Sequence, residues 1–124
     1  MPPHFWCGAD VEALGKGRIK YCLKDIQLKY IGSDAEFIDY CSEIAQFIWG
    51  VFVCLDQNFL SQDIQGIELE TEDRPFRRIE AQGILIELRT FDTTYFCLYT
   101  DDLELAKKIS DFYQITLECV SGVC

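Results

Sequence analysis

The stretch "RTFDTTYFCLYTDDLELAKKISDFY", residues 89–113, decides the fold class, because it contains a strand, a turn and a helix in succession. "TYFCLYT" is apolar on both faces, which is typical of a central strand. The helix that follows has an apolar face formed by Leu103, Ala106, Ile109 and Phe112. Asp101 and Glu104 have capping-box spacing. We therefore expect Asp92 in a turn and Asp101 with Asp102 at a helix start, not a catalytic or metal-binding cluster.

Further strands are predicted on both sides of this stretch. "GILIELRTF", residues 83–91, precedes the turn, and "QITLECV", residues 114–120, follows the helix. In "IELETED", residues 67–73, apolar and acidic positions alternate, which indicates a half-buried strand. Its inward side chains are Ile67, Leu69 and Thr71. Its outward side chains are Glu68, Glu70 and Glu72.

A second helix is predicted in "GSDAEFIDYCSEIAQFIW", residues 32–49, where Ser33 and Glu36 form a capping-box pair. Its apolar face contains Phe37, Cys41, Ile44 and Ile48. Its outward face contains Glu36, Asp39, Glu43 and Gln46. After Gly50, "VFVCL" is compatible with a buried strand or with a continuing helix, because periodicity does not separate the two.

The N-terminal part of the chain has weaker secondary-structure signals than the rest of the sequence. Residues 1–17 contain two prolines, three glycines and little periodicity, which predicts a loose arm. "RIKYCL" and "IQLKYI", residues 18–23 and 26–31, each alternate with period two and predict a hairpin. We therefore expect one domain over residues 18–124, a size that buries a sufficient core.

The order of these elements favours an α+β fold, with a mainly antiparallel sheet and two principal helices packed on one face. A doubly wound parallel fold requires a more regular alternation of strands and helices.

Charge is the most informative bulk property of the sequence. The net charge is −10, and residues 30–73 contain ten acidic and no basic side chains. Such a span projects a negative field, which repels nucleic acid and attracts a basic protein partner. The residues predicted to bind this partner are Asp39, Glu43, Glu68, Glu70 and Glu72. The alternative is a soluble acidic surface with no specific partner.

No sequence motif indicates catalysis or a cofactor. The single histidine, His4, lies in the predicted arm, where a catalytic base would lack the packing that fixes its rotamer. Phosphate-loop, dinucleotide, esterase and zinc-protease motifs are absent from the sequence. The seven cysteines have no regular spacing, which indicates free thiols in a reducing compartment and not a metal site. We expect no catalytic residues, no metal and no cofactor.

The expected location is cytoplasmic, because the longest apolar run, "FIWGVFVCL", is too short to span a membrane and no secretory signal is evident. The sequence thus predicts a small acidic intracellular binding protein that occludes a basic partner surface, without direct nucleic-acid or membrane binding. In composition it resembles inhibitor and immunity proteins, including nucleic-acid mimics, although no motif carries the resemblance. The alternatives are a structural or regulatory subunit that forms a homodimer, and a small-ligand-binding protein or enzyme.

Overall fold

The computed structural model describes residues 4–15, 23–56, 67–68, 71, 84–91, 95–100 and 102–113. The elements in chain order are β1 (His4–Gly15), β2 (Lys29–Gly32), α1 (Asp34–Ser42), β3 (Ile44–Asp56), β4 (Ile84–Phe91), β5 (Tyr95–Thr100) and α2 (Leu103–Tyr113).

The five strands form one sheet in the order β2-β1-β3-β4-β5, and all neighbours are antiparallel. The α+β class with a mainly antiparallel sheet is therefore confirmed, and the sheet is the dominant part of the structure. β4 and β5 are the two strands predicted on either side of Asp92. β5 was expected to be central, but it is the last strand of the sheet within the described residues. The strand predicted at residues 114–120 lies outside them.

β1 differs most from the sequence prediction, which placed residues 1–17 in a loose arm. Residues 4–15 instead form a strand that pairs with β2 on one side and with β3 on the other. Trp6, Cys7 and Ala9 are buried. A strand covered on both faces lacks the alternation of apolar and polar residues that marks a half-buried strand. The prediction of a loose arm is wrong for these residues because tertiary pairing outweighed the local glycines.

α1 begins where the sequence predicts and ends earlier. Ser33 caps the helix: its hydroxyl accepts from the Glu36 N–H, and the Glu36 side chain accepts from the Ser33 N–H. The helix ends at Ser42, and Ile44 already belongs to β3. The predicted continuation to Ile48 is wrong because this segment pairs with β1, and from Trp49 onward β3 also pairs with β4. "VFVCL", which the sequence leaves open between a strand and a continuing helix, is part of strand β3.

The predicted hairpin over residues 18–31 is only partly within the described chain. Residues 18–22 lie outside it. From Leu23 to Leu28 the chain forms no extended ladder, although Val11 N–H donates to the Leu23 carbonyl and Asp10 N–H to the Asp25 carbonyl. The only regular strand here is β2, which pairs with β1.

The sheet is covered on both faces, and each face has its own buried cluster. The α1 face carries Trp6, Val11, Ile31, Phe52, Cys54 and Ile86, with Tyr40 of α1 buried against them. The opposite face carries Cys7, Ala9, Leu28, Val51, Val53 and Leu55, with Ile67 packed on them. Successive residues of β3 alternate between these two clusters, as the pleat of a strand requires.

Residues 67, 68 and 71 match the predicted alternation. Ile67 packs inward, Glu68 is exposed and Thr71 is buried. The pairing is limited to a bridge between Gln27 and Glu68 and a hydrogen bond from Leu28 N–H to the Ile67 carbonyl.

α2 is capped one residue later than expected. The Leu105 N–H donates to Asp102 Oδ1, so Asp102 occupies the N-cap, whereas Asp101 lies outside the described residues. Thr100 holds this turn, because its hydroxyl donates to the Leu85 carbonyl and accepts from the Asp102 N–H. Leu105 packs against the α1-face cluster, whereas Leu103 and Phe112 of the predicted apolar face are exposed. Of the two helices that the structure describes, neither is long and apolar enough to cross a membrane.

Candidate functional site

The outward face of α1 is exposed and carries acidic side chains from the part of the sequence that has no Lys or Arg. Phe37, Tyr40 and Cys41 point toward the sheet. The exposed positions are Asp34, Ala35, Glu36, Ile38, Asp39 and Ser42. Ile38 is 66% exposed and is adjacent in sequence to Asp39. This face therefore combines carboxylates with one large apolar side chain, and no cation occurs between residues 30 and 73.

The N-terminal end of this face contacts the sheet through Asp34. Trp6 Nε1 donates to Asp34 Oδ1 at 2.7 Å, and His4 Nε2 lies 2.7 Å from the same oxygen. The Trp6 ring stacks on Phe37 at a centroid distance of 4.2 Å. The Trp6 hydrogen bond, with help from His4, lowers the pKa of Asp34 below its ordinary value of 3.8. Asp34 is thus held as an anion at the start of the helix, where the macrodipole favours it.

Glu43, the second predicted partner-binding residue, has a different environment. It is the C-cap of α1, its N–H donates to the Tyr40 carbonyl, and it is half-buried. A carboxylate at a helix C-terminus faces the negative end of the dipole. The structure brings Asp39 and Glu43 together on one helix, but only Asp39 belongs fully to the outward face.

The structure separates Glu68 from these two residues. Glu68 follows Ile67, which packs on the opposite face of the sheet, whereas Asp39 lies on the helix that covers the α1 face. Glu70 and Glu72 lie outside the described residues. The predicted grouping rests on charge alone, and the sheet between α1 and residues 67–68 separates Glu68 from Asp39 and Glu43.

A buried polar network was missed by the sequence analysis. Arg89 Nε donates to Glu87 Oε2 at 3.1 Å, and each of these residues is 1% exposed. Arg89 Nη1 also donates to the Thr71 carbonyl at 2.6 Å. The Thr71 N–H and hydroxyl both donate to Asp10 Oδ2, at 2.8 and 3.1 Å. The available signal was the alternating "IELR" in a strand, which places Glu87 and Arg89 on one face.

The network lies on the opposite face, because Glu87 pairs with Val53 and Arg89 with Val51 in the ladder. On β5, Tyr99 stands directly across from Glu87. Burial raises the pKa of Tyr99 to about 12, and its hydrogen bond with Cys97 acts in the same direction. A neutral phenol beside a paired guanidinium and carboxylate has the character of a structural network and not of a poised acid or base.

Burial makes the thiols of Cys7 and Cys54 poor nucleophiles. Cys54 lies opposite Trp6 and close enough to Asp34 to be affected by its charge, so a thiol, a carboxylate and His4 are grouped here. Burial, however, raises the pKa of Cys54 to about 12 and that of Cys7 to about 12. Since the thiolate is the reactive form, the raised pKa of these thiols disfavours nucleophilic chemistry at this group.

Within the part of the chain that the structure describes, no group of three or more His, Cys, Asp or Glu side chains is placed to hold a metal ion.

No protein-family model, no curated protein and no solved structure matches the chain. Function must therefore be inferred from the residues themselves.

Proposed function

We propose that this chain is a small binding protein that occludes a basic partner surface with the outward face of α1. The observation that carries the proposal is the 66% exposure of Ile38 beside Asp39. Their helix lies within residues 30–73, which contain no Lys or Arg and are called the cation-free span below.

An apolar side chain and carboxylates have complementary roles in such a surface. Interfaces bury an apolar centre and leave a polar rim, so Ile38 serves as the central contact and Asp39 as part of the rim. Carboxylates steer a Lys- or Arg-rich partner during encounter and disfavour acidic competitors. The partner we propose has an apolar depression bordered by basic side chains.

The proposal narrows the predicted set of binding residues. Asp39 is retained as part of the rim around Ile38, Glu43 is peripheral because it is half-buried, and Glu68 belongs to another side of the protein. That Glu70 and Glu72 bind the partner stays a prediction. An inhibitor or immunity-type role in the cytoplasm, including nucleic-acid mimicry, is the biological form of this activity that the acidic charge favours.

The placement of both helices on one face of the sheet belongs to the same proposal. Leu105 of α2 packs against the cluster that also receives Phe37 and Cys41 of α1. If α2 covers the α1 face next to α1, the sheet is a rigid support for the outward surface of the helix.

The test is affinity capture with immobilised chain from a lysate of the native host, at low and at high salt, with identification of retained proteins by mass spectrometry. Asp39→Lys and Ile38→Asp alter the proposed surface. Asp111→Lys is the matched control for Asp39→Lys, because it reverses one exposed carboxylate on α2 and changes the net charge by the same amount. Retained proteins are then purified and titrated individually.

We expect a basic protein that binds the unmodified chain and the Asp111→Lys control equally. We expect its affinity to fall by about tenfold or more with Asp39→Lys or Ile38→Asp, and to decrease with salt. Equal binding by all variants, or binding that is insensitive to salt, would contradict the proposal.

A homodimer is the second candidate, and exposed Phe96 favours it. Phe96 is 61% exposed on β5, the last strand of the sheet within the described residues, and unpaired strand edges can pair with a second copy. Light scattering over a range of concentrations tests this candidate. A dimer that Phe96→Lys converts to a monomer supports it, and a strict monomer at all concentrations contradicts it.

A further inference from the structure

We propose that His4 and Asp34 form a pH-sensitive contact that connects the N-terminal end of α1 to the sheet and is strongest when His4 is protonated. This inference does not depend on the proposed function, because it concerns the attachment of the helix and not its partner.

The geometry of the contact is specific. His4 lies on β1 and Asp34 in the first turn of α1, thirty residues apart in sequence, with Nε2 and Oδ1 separated by 2.7 Å. The same oxygen accepts a hydrogen bond from the Trp6 indole, and the Trp6 ring stacks on Phe37 of the helix. The Ser33–Glu36 capping box is local to the helix start, whereas the Asp34 contacts join the helix to a neighbouring strand.

Two carboxylates lie next to His4. Asp34 faces it from α1, and Asp56 stands directly opposite it on β3, on the same side of the sheet. The cation of β2, Lys29, lies opposite Gly8, four residues further along β1. The thiol of Cys54 is also near but stays neutral, since burial raises its pKa to about 12. An imidazolium therefore meets two carboxylates.

The direction of the pH effect follows from this arrangement. The pKa of Asp34 is lowered from 3.8, so Asp34 stays anionic throughout the range in which a histidine titrates, around pH 6.5. A protonated His4 makes a charge-assisted hydrogen bond, which is stronger than the bond from neutral imidazole. Raising the pH through this range weakens the attachment of α1, and lowering it strengthens the attachment. His4 is the only histidine in the chain, so the effect can be assigned to one residue.

The experiment is amide hydrogen exchange measured by NMR at about pH 5.5 and about pH 8, on either side of the ordinary histidine titration. Protection factors, which correct for the intrinsic pH dependence of exchange, are compared for α1 amides from Phe37 to Ser42, with Val51 and Val53 of β3 as the internal reference. The variants are His4→Gln, which keeps a neutral donor, and Asp34→Asn, which keeps an acceptor for Trp6. Asp39→Asn is the control, because it removes an exposed carboxylate from the same helix.

We expect α1 protection in the unmodified chain to be about fivefold higher at the lower pH, with β3 protection unchanged. His4→Gln and Asp34→Asn should each abolish this ratio, and Asp39→Asn should retain it. A ratio near one in the unmodified chain would overturn the inference. So would a ratio that persists in both His4→Gln and Asp34→Asn, because another group would then be responsible.

Discussion

Arg89 Nη1 donates a hydrogen bond of 2.6 Å to the carbonyl oxygen of Thr71, which lies eighteen residues earlier in the chain. The other two polar groups of Thr71, its N–H and its hydroxyl, donate to Asp10. Thr71 is therefore bonded on both sides to residues of the sheet, although it belongs to the cation-free span. Arg89 supplies that span with a buried positive charge.

Removing the guanidinium should be strongly destabilising. Arg89→Met leaves the buried Glu87 carboxylate without its cation and the Thr71 carbonyl without a donor. We expect the free energy of unfolding to fall by about 3–5 kcal/mol. Urea unfolding followed by tryptophan fluorescence measures this change. Lys108→Met is the control, because the Lys108–Glu104 pair is exposed and should contribute less than about 0.5 kcal/mol.

The double variant Glu87→Leu/Arg89→Met separates loss of pairing from loss of packing. It removes the orphaned carboxylate, so we expect it to be more stable than Arg89→Met alone. A double variant that is less stable than the single one would show that Glu87 has a role apart from its ion pair.

Asp10 should tolerate glycine better than alanine. Its φ of 52° is in the left-handed region, at the irregularity where β1 shifts register against β3. Asp10→Ala loses the two hydrogen bonds from Thr71 and keeps a Cβ in this conformation, which alanine tolerates less well than aspartate. Asp10→Gly loses the bonds without the conformational penalty, so we expect it to be about 1 kcal/mol more stable than Asp10→Ala in urea unfolding. The reverse order would show that Asp10 is not strained.

Local signals predicted the start of α1 and could not predict its end. The Ser33 capping box depends on residues three positions apart, so it is visible in the sequence. Ile44 and Ile48 continue the helical spacing, but they belong to β3, which lies between β1 and β4 in the sheet. These pairings join residues far apart in sequence, and they outweighed the local period. The same reason explains why the sequence predicts a loose arm where the structure has β1.

The candidate site was predictable only in part. Exposure of Asp39 followed from helical periodicity. The separation of Asp39 from Glu68 depends on which face of the sheet each segment covers, and one sequence does not contain that information. The sequence does not mark Ile38 as part of a binding surface, because an apolar residue in a helix usually belongs to the core; in the structure Tyr40 is buried and Ile38 is exposed.

Replacing Thr90 with valine should stabilise the protein. Thr90 is buried in β4, and none of the residues that the structure describes is a hydrogen-bond partner for its hydroxyl. Valine has nearly the same shape without the desolvated polar group, so we expect Thr90→Val to raise the free energy of unfolding by about 1 kcal/mol.

Thr100→Val is the matched comparison, because the Thr100 hydroxyl donates to the Leu85 carbonyl and accepts from the Asp102 N–H. The same chemical change should therefore lower the free energy of unfolding by about 1–2 kcal/mol. Thermal melting of both variants side by side checks the opposite signs. If Thr90→Val were also destabilising, its hydroxyl would have a partner or a functional contact.

The indole of Trp6 should control the acid titration of Asp34. The hydrogen bond from Trp6 Nε1 is the largest cause of the lowered pKa of Asp34, and His4 adds to it. A carboxyl with a lower pKa in the folded chain than its ordinary 3.8 contributes stability above that value, and the contribution is lost as the pH falls through the folded pKa.

Trp6→Phe removes the indole N–H and keeps an aromatic ring against Phe37. We expect the pKa of Asp34, measured by NMR titration of its carboxyl carbon, to rise toward 3.8 in this variant, and acid unfolding to begin at a higher pH. An unchanged titration in Trp6→Phe would show that His4 alone holds the Asp34 anion, because no other hydrogen bond to its carboxylate is found within the described part of the chain.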